Sequence, residues 1–265
     1  MKRGAIMKTG LDYWFGYAIE INKRFSLIRE VGFDCVMLWW GDEFRDINGD
    51  KELLPDLARK SGLEIENIHA PYEGVNEIWR DNINGKEIMN LYISCLDDCV
   101  KYDISTMVLH VTTGNNPPPI SEVGIERIKK IVDYSQNRGI YIALENLRNP
   151  EYLKEIFKKT DSPNLGFCYD SGHENCYSRD LDFLNMYGNK LIALHLHDND
   201  GTNDQHRILG EGTINWKNVR NRIKRIGYTK PITMEVTNEF SKKYANLDAE
   251  SFLKNAYEKL KIIFD

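Results

Sequence analysis

The sequence predicts an α/β protein, a single-domain (β/α)8 TIM barrel spanning residues 1–265. Three observations carry that prediction. Short apolar, β-branched runs alternate with amphipathic stretches of helical length, and they do so eight times. Most runs are continuously apolar, as parallel strands covered on both faces must be. The length suits eight repeats of about 30 residues, and barrels of about 250 residues form one domain. No Gly-rich turn of the dinucleotide-binding type follows the first run, which argues against an open doubly wound sheet.

In chain order the expected strands are 4–9, 33–39, 64–69, 106–111, 141–146, 165–170, 191–197 and 231–236. The expected helices are 22–31, 51–60, 86–102, 121–138, 150–159, 180–187, 215–226 and 248–264. Gly32, Gly62, Gly139 and Gly227 supply stop signals, and Pro150 opens a helix where its missing N–H costs nothing. The longest irregular stretch, 199–213, is long enough to suggest function. Gly201, Gly210 and Gly212 permit tight turns there, so the loop is expected either to carry Asp204, His206 and Arg207 over the barrel mouth or to pack on itself.

Composition is ordinary for a globular protein, 42% hydrophobic and 28% charged. A chain of this length buries a core without a structural metal, so any metal site is expected to be functional. The formal net charge of -5 argues against a protein built to grip nucleic acid. The basic stretch 217–225 reads first as a solvated helix face. Five cysteines (Cys35, Cys95, Cys99, Cys168, Cys176), with no C-x-x-C, fit a reducing compartment. With no signal-peptide core and no membrane-spanning run, the expected location is the cytoplasm.

The positions of the polar residues point to chemistry. His69, His110, His173, His195, His197 and His206 all lie at or just past an expected strand end, and none within an expected helix. Glu145, Asp170 and Glu235 end strands five, six and eight, and Asp198, Asp200 and Asp204 follow strand seven. In a barrel these ends converge on one face, where catalysis is done. Any one of these residues has an ordinary structural alternative, a buried ion pair or a core histidine. The whole set does not, because Arg148 and Arg207 are the only basic residues near these ends. Buried charge is costly unless paired or bound to metal. Histidine with carboxylate suits a divalent cation, Zn2+ or Mn2+, with Co2+ and Mg2+ as further candidates.

Short motifs at these ends carry a resemblance: IHAPY (68–72), LHV (109–111), ALEN (143–146), YDSGH (169–173), LHLHDND (194–200), DQHRILGEG (204–212) and MEV (234–236). In this order the chain resembles the xylose isomerase-like barrel superfamily. That group includes sugar and sugar-phosphate isomerases and epimerases, and endonuclease IV-type apurinic-site endonucleases. The resemblance implies a metal held by Glu145, Asp170, His195 and Glu235, with His173 contacting a substrate oxygen. His195 is preferred to His197 because of its His-Leu-x-acid context. It also implies counterparts of nine nuclease zinc ligands, which adds His69, His110, His173, Asp204 and His206 as further metal or substrate contacts. The chain departs from the nuclease pattern at APYEGVNEIW after His69, at Arg207 after His206, and around Asp170.

The expected function is a metal-dependent isomerase or epimerase of a small sugar, keto-sugar or sugar phosphate. It would work through an enediolate, with Glu145 and Glu235 as acid/base pair on a metal-bound substrate. Trp14, Trp39, Trp40 and Tyr72 are expected to wall the sugar. His197 and Arg207 are expected as further substrate contacts, Arg207 at a phosphate or carboxylate. The alternatives are a zinc phosphoesterase with two or three metals, and a keto-sugar or inositol lyase or dehydratase. The expected partner is a small molecule, with no membrane, nucleic acid disfavoured, and a homo-oligomer admitted.

Overall fold

The apolar runs form a wall of eight parallel strands. In the computed structural model, which describes residues 7–43 and 45–265, they are β1 (Thr9–Asp12), β2 (Cys35–Trp39), β3 (Glu64–His69), β4 (Thr106–Leu109), β5 (Tyr141–Glu145), β6 (Leu165–Asp170), β7 (Leu191–His195) and β8 (Ile232–Met234). Their order is β7-β6-β5-β4-β3-β2-β1-β8. A parallel bridge between Leu196 and Met234 joins the two edges. There the Leu196 amide donates to Thr233 O and the Glu235 amide to Leu196 O, both at 3.0 Å. The wall is thus a nearly closed barrel.

Outside it lie α1 (Ile21–Val31), α2 (Arg45–Asn48), α3 (Leu54–Lys60), α4 (Ile83–Lys101), α5 (Glu122–Gln136), α6 (Pro150–Lys159), α7 (Ser171–Tyr177), α8 (Phe183–Tyr187), α9 (Trp216–Ile226) and α10 (Ala249–Phe264). The helices turn apolar stripes to the strands: Trp216, Val219 and Ile223 on α9, and Phe252, Leu253, Ala256 and Leu260 on α10. Side-chain caps set their starts. Asn82 accepts from the Gly85 amide (2.8 Å), so α4 begins three residues before the expected 86. Asp182 likewise delays α8 to Phe183.

The largest displacement is β1. Residues 4–6 of its expected span lie outside the described residues, and the strand runs on to Asp12. Its Gly10 is no turn signal: a Cβ there would lie 2.3 Å from Thr233 Oγ1 on the neighbouring strand, so close approach demands glycine. Sequence periodicity also misses α2 and α7, which are too short to show a repeat.

Inside the barrel, Val108, Ala143, Cys168 and Ala193 form a small separate cluster, fully buried. All five cysteines are free, and Cys95 and Cys99 are buried on α4. The basic α9 stripe is partly consumed by structure, since Arg222 pairs with Glu174 and Asp182, each at 2.8 Å. Among the described residues no helix is long and apolar enough to cross a membrane.

Candidate metal centre

The mouth is built around Glu145, the last residue of β5 and fully buried. Strand alternation turns it inward, above Ala143. Its Oε2 lies 3.1 Å from His195 Nδ1 at the end of β7, and 3.3 Å from both His69 Nε2 and His110 Nε2. His195 Nδ1 is also 3.1 Å from Glu235 Oε2, just past β8. Asp170 ends β6 and caps α7, accepting from the His173 amide at 2.6 Å. This cap explains the three-residue spacing of Asp170 and His173. It also corrects the expectation that no histidine lies in a helix, for His173 sits in the first turn of α7. The His173 ring then meets Glu145 Oε1 (Nδ1, 3.0 Å) and Asp204 Oδ2 (Nε2, 3.1 Å).

Beside this group lies a second one. His197 Nε2 is 3.2 Å from Asp170 Oδ2 and 3.4 Å from Asp204 Oδ1, while His206 Nε2 is 3.4 Å from Asp204 Oδ2. The His197 and His206 rings stack, with centroids 4.0 Å apart. Gly172 in the YDSGH motif makes room for this arrangement, because a Cβ there would lie 1.8 Å from His197 Cε1. His206 takes a left-handed φ of 43° and donates Nδ1–H to Glu235 O at 2.9 Å. His69 donates Nδ1–H to Ala70 O, also at 2.9 Å. Each of these two bonds orients the ring and points its Nε2 at carboxylates.

Ring nitrogens facing buried carboxylates call for a proton or a cation between them. Glu145 Oε2, His110 Nε2, both ring nitrogens of His195, and Asp204 Oδ1 are buried without hydrogen-bond partners. Glu145, Asp170, His195 and Glu235 each offer one ligand atom, all within 4.8 Å of one another. So do His69, Glu145 and His195, and so do His197, Asp204 and His206. The donor types fit a divalent cation of the zinc or manganese kind. Charges also alternate. Burial opposes ionisation of Glu145, yet His110 and His195 hold it well below the usual carboxylate range. Burial works against Glu235 too, but His195 and His206 bring it to about 2. His206, against burial, is raised to about 10 by Asp204.

Over the centre opens a cavity of about 600 Å³. Trp14, Trp39, Tyr72 and Phe240 give it apolar walls, and Glu43, Glu73 and Glu239 line it with carboxylates. No Lys or Arg among the described residues lines it. Tyr72 stacks on His110 (4.5 Å, 14°), and Trp39 Nε1 donates to Glu43 Oε2 at 3.0 Å.

Three expected substrate contacts lie elsewhere. Trp40 is fully buried and donates Nε1–H to Asp98 on α4 (2.9 Å), because its ring points out of the barrel into the helix layer. His197 is fully buried behind Asp170 and Asp204 and does not line the cavity. Arg207 is drawn to Asp200 (3.0 Å), since the loop folds on itself through the antiparallel Asp198–Arg207 bridge. That same loop does deliver Asp204 and His206 to the cavity. One residue escapes the sequence reading. Asp12, at the end of β1, lines the cavity, and burial with neighbouring Glu235 raises it to about 8. Its signal is a carboxylate ending a strand, like Glu145 and Asp170, but the misplaced first strand hides it.

A family model described as xylose isomerase-like TIM barrel matches residues 25–256. An uncharacterized protein of Methanocaldococcus jannaschii is 32% identical over 253 residues, covering 88% of this chain and 84% of that protein. Fructoselysine 3-epimerase of Escherichia coli O157:H7 is 24% identical over 251 residues, covering 87% and 90%. The crystal structure of D-psicose 3-epimerase with D-tagatose, from Clostridium cellulolyticum H10, superposes with a TM-score of 0.79 at 15% identity, covering 98% and 100%.

Proposed function

This chain belongs to the xylose isomerase-like TIM barrel family, and from that membership we propose that it is a metal-dependent epimerase or isomerase of a ketose. The observation that carries the reading is the convergence of Glu145 and Glu235 on His195 Nδ1, each 3.1 Å from it, under a cavity of sugar size. A relative named for 3-epimerisation of a sugar derivative supports it.

A divalent cation held by Glu145, Asp170, His195 and Glu235 would polarise the substrate carbonyl and stabilise the enediolate oxygen. Every other role falls to the chain. Glu145 and Glu235 are held ionised, as bases must be. One removes the proton beside the carbonyl and keeps it, and the other, once it has taken up a proton from solvent, returns that proton to the opposite face of the carbon. His173, raised well above the usual histidine range by Asp170 and Asp204 against burial, donates to a substrate oxygen. Trp14, Trp39 and Tyr72 cover the apolar face of the sugar and keep water from the enediolate.

A second reading, a zinc phosphoesterase with two or three metals, draws support from His69 and His110 at Glu145 and from the His197, Asp204, His206 group. The cavity's carboxylates and its lack of Lys or Arg weigh against it, since a phosphodiester backbone needs cations. A lyase would share the first proton abstraction and differ in the fate of the enediolate.

Deuterium incorporation from solvent into a panel of ketoses, run beside metal analysis and an abasic-DNA cleavage assay, separates these readings. The epimerase reading expects exchange at the carbon beside the carbonyl. No exchange with any ketose, together with abasic-site cleavage and three zinc ions per chain, would overturn it.

A further inference from the structure

We propose that Arg148 anchors an anionic group of the substrate, so that the preferred ketose carries a phosphate or carboxylate remote from its reacting carbon. This rests on the epimerase reading above. Beside the main cavity lies a second chamber of about 240 Å³. Tyr72, His110, Thr113, His173 and Asp204 line both, so the two meet over the proposed acid–base centre. The far wall of the second chamber is Arg148 on Tyr177.

Two arginines stand near the strand ends, and their environments differ. Arg207 is committed to Asp200. Arg148 makes no ion pair among the described residues. Its guanidinium carbon lies 3.6 Å from the centre of the Tyr177 ring, and Nη2 donates to the Tyr177 hydroxyl at 2.7 Å. Tyr177 in turn stacks on His173, with centroids 5.4 Å apart. One of five N–H donors is thus used, and the plane of the guanidinium is held by an aromatic face. This is a preorganised fork for a carboxylate or phosphate.

Among the described residues lining the two chambers, the surroundings suit an anion at this point. Among the described residues, Arg148 is the sole Lys or Arg lining either chamber. Asp204, the one acidic residue on the second chamber's wall, is already offset by His173 and His206. Thr112 and Thr113 add hydroxyls, and Gly114, in a left-handed turn (φ 75°) with open space about it, leaves its side of the chamber clear. Asn76 pins this wall through the Thr113 carbonyl (2.9 Å) and amide (3.0 Å). The carboxylates of the main cavity would repel the same anion if the substrate entered reversed, so the pair of chambers also sets its direction.

The test is calorimetric binding of D-fructose, D-fructose 6-phosphate, the carboxylated ketose D-fructuronate and inorganic phosphate to the metal-supplemented protein. At least one anionic ketose should bind about tenfold or more tighter than D-fructose, and which one does so distinguishes phosphate from carboxylate. R148A should erase that ratio, and R148K should restore part of it as a point charge. The proposal is overturned if D-fructose binds as tightly as both anionic sugars, or if R148A leaves the ratio intact. Inorganic phosphate binding equally to wild type and R148A would place the anion on the metal and also overturn it. Absence of deuterium exchange in every ketose would sink the epimerase reading, while the binding ratio and its dependence on Arg148 would still decide this one.

Discussion

Two layers of the barrel interior lie one above the other and differ in nearly every property. The upper holds His110, Glu145, Asp170 and His195, and the lower holds Val108, Ala143, Cys168 and Ala193. Each upper residue stands two positions after a lower one on the same strand or its end, so alternation stacks them on one side. The lower layer is apolar and packed, while the upper layer keeps buried nitrogen and oxygen atoms without partners. The contrast teaches where stability and function part. Apart from the Cys168 thiol, which meets His195, the small apolar residues below offer the imidazoles and carboxylates no partner, so these face chiefly one another and the cavity. Such an arrangement costs stability unless a cation completes it.

The contrast can be broken from either side. The largest effect is expected in the upper layer. Glu145→Gln and Glu235→Gln should each slow solvent exchange by about 10²–10⁴-fold with circular dichroism unchanged, and retained exchange in either would remove its role. Next is the cation itself. Chelator-treated protein given Zn2+ or Mn2+ at about 100 times its dissociation constant should gain about 2.7 kcal/mol, or roughly 5–10 °C in Tm. No shift with any divalent cation would end the metal reading of this layer.

Glu66 on β3 sharpens the comparison, because it is a carboxylate below the mouth. Burial raises it to about 7, against the hydrogen bond from Thr233 and the pull of His195. A folded value above the unfolded one means the folded state holds the proton more tightly. Stability from this group is therefore complete below its ordinary value of 4.5, falls as pH rises toward 7, and is gone above it. Glu66→Gln should accordingly stabilise by about 1–3 kcal/mol at pH 8 and change little at pH 5, as denaturant melts at the two pH values will read. An equal effect at both would refute the assignment. The smallest effect is expected in the lower layer. Val108→Ala should cost about 1–2 kcal/mol by opening a cavity, with exchange per folded molecule within about twofold of wild type.

Much of the fold and of the mouth is legible in the order of residues. Residues 64–69, 165–170 and 150–159 form β3, β6 and α6 with the boundaries that periodicity and turn signals predict. Elements whose limits depend on neighbours are harder. β1 slides to Asp12 because Gly10 fits against Thr233, a contact no local pattern reveals. Glu145, Asp170, His195 and Glu235 do meet, as expected of residues at matching strand ends. His197 shares their side by alternation yet joins another group, since two residues of strand rise about 6.6 Å, too far for one centre.

The sequence alone determined that a parallel barrel forms and that its histidines and carboxylates gather at one mouth. Period-two strands and a shared strand direction leave them no other place. Tertiary structure decided the course of the chain beyond the strand ends, where no period operates. Loop packing sent Trp40 into the helix layer and Arg207 to Asp200, brought Asp12 into the cavity, and left Arg148 on Tyr177 in the adjoining chamber. Long side chains on irregular backbone take the direction their neighbours allow, and those neighbours are set only when the whole barrel has closed.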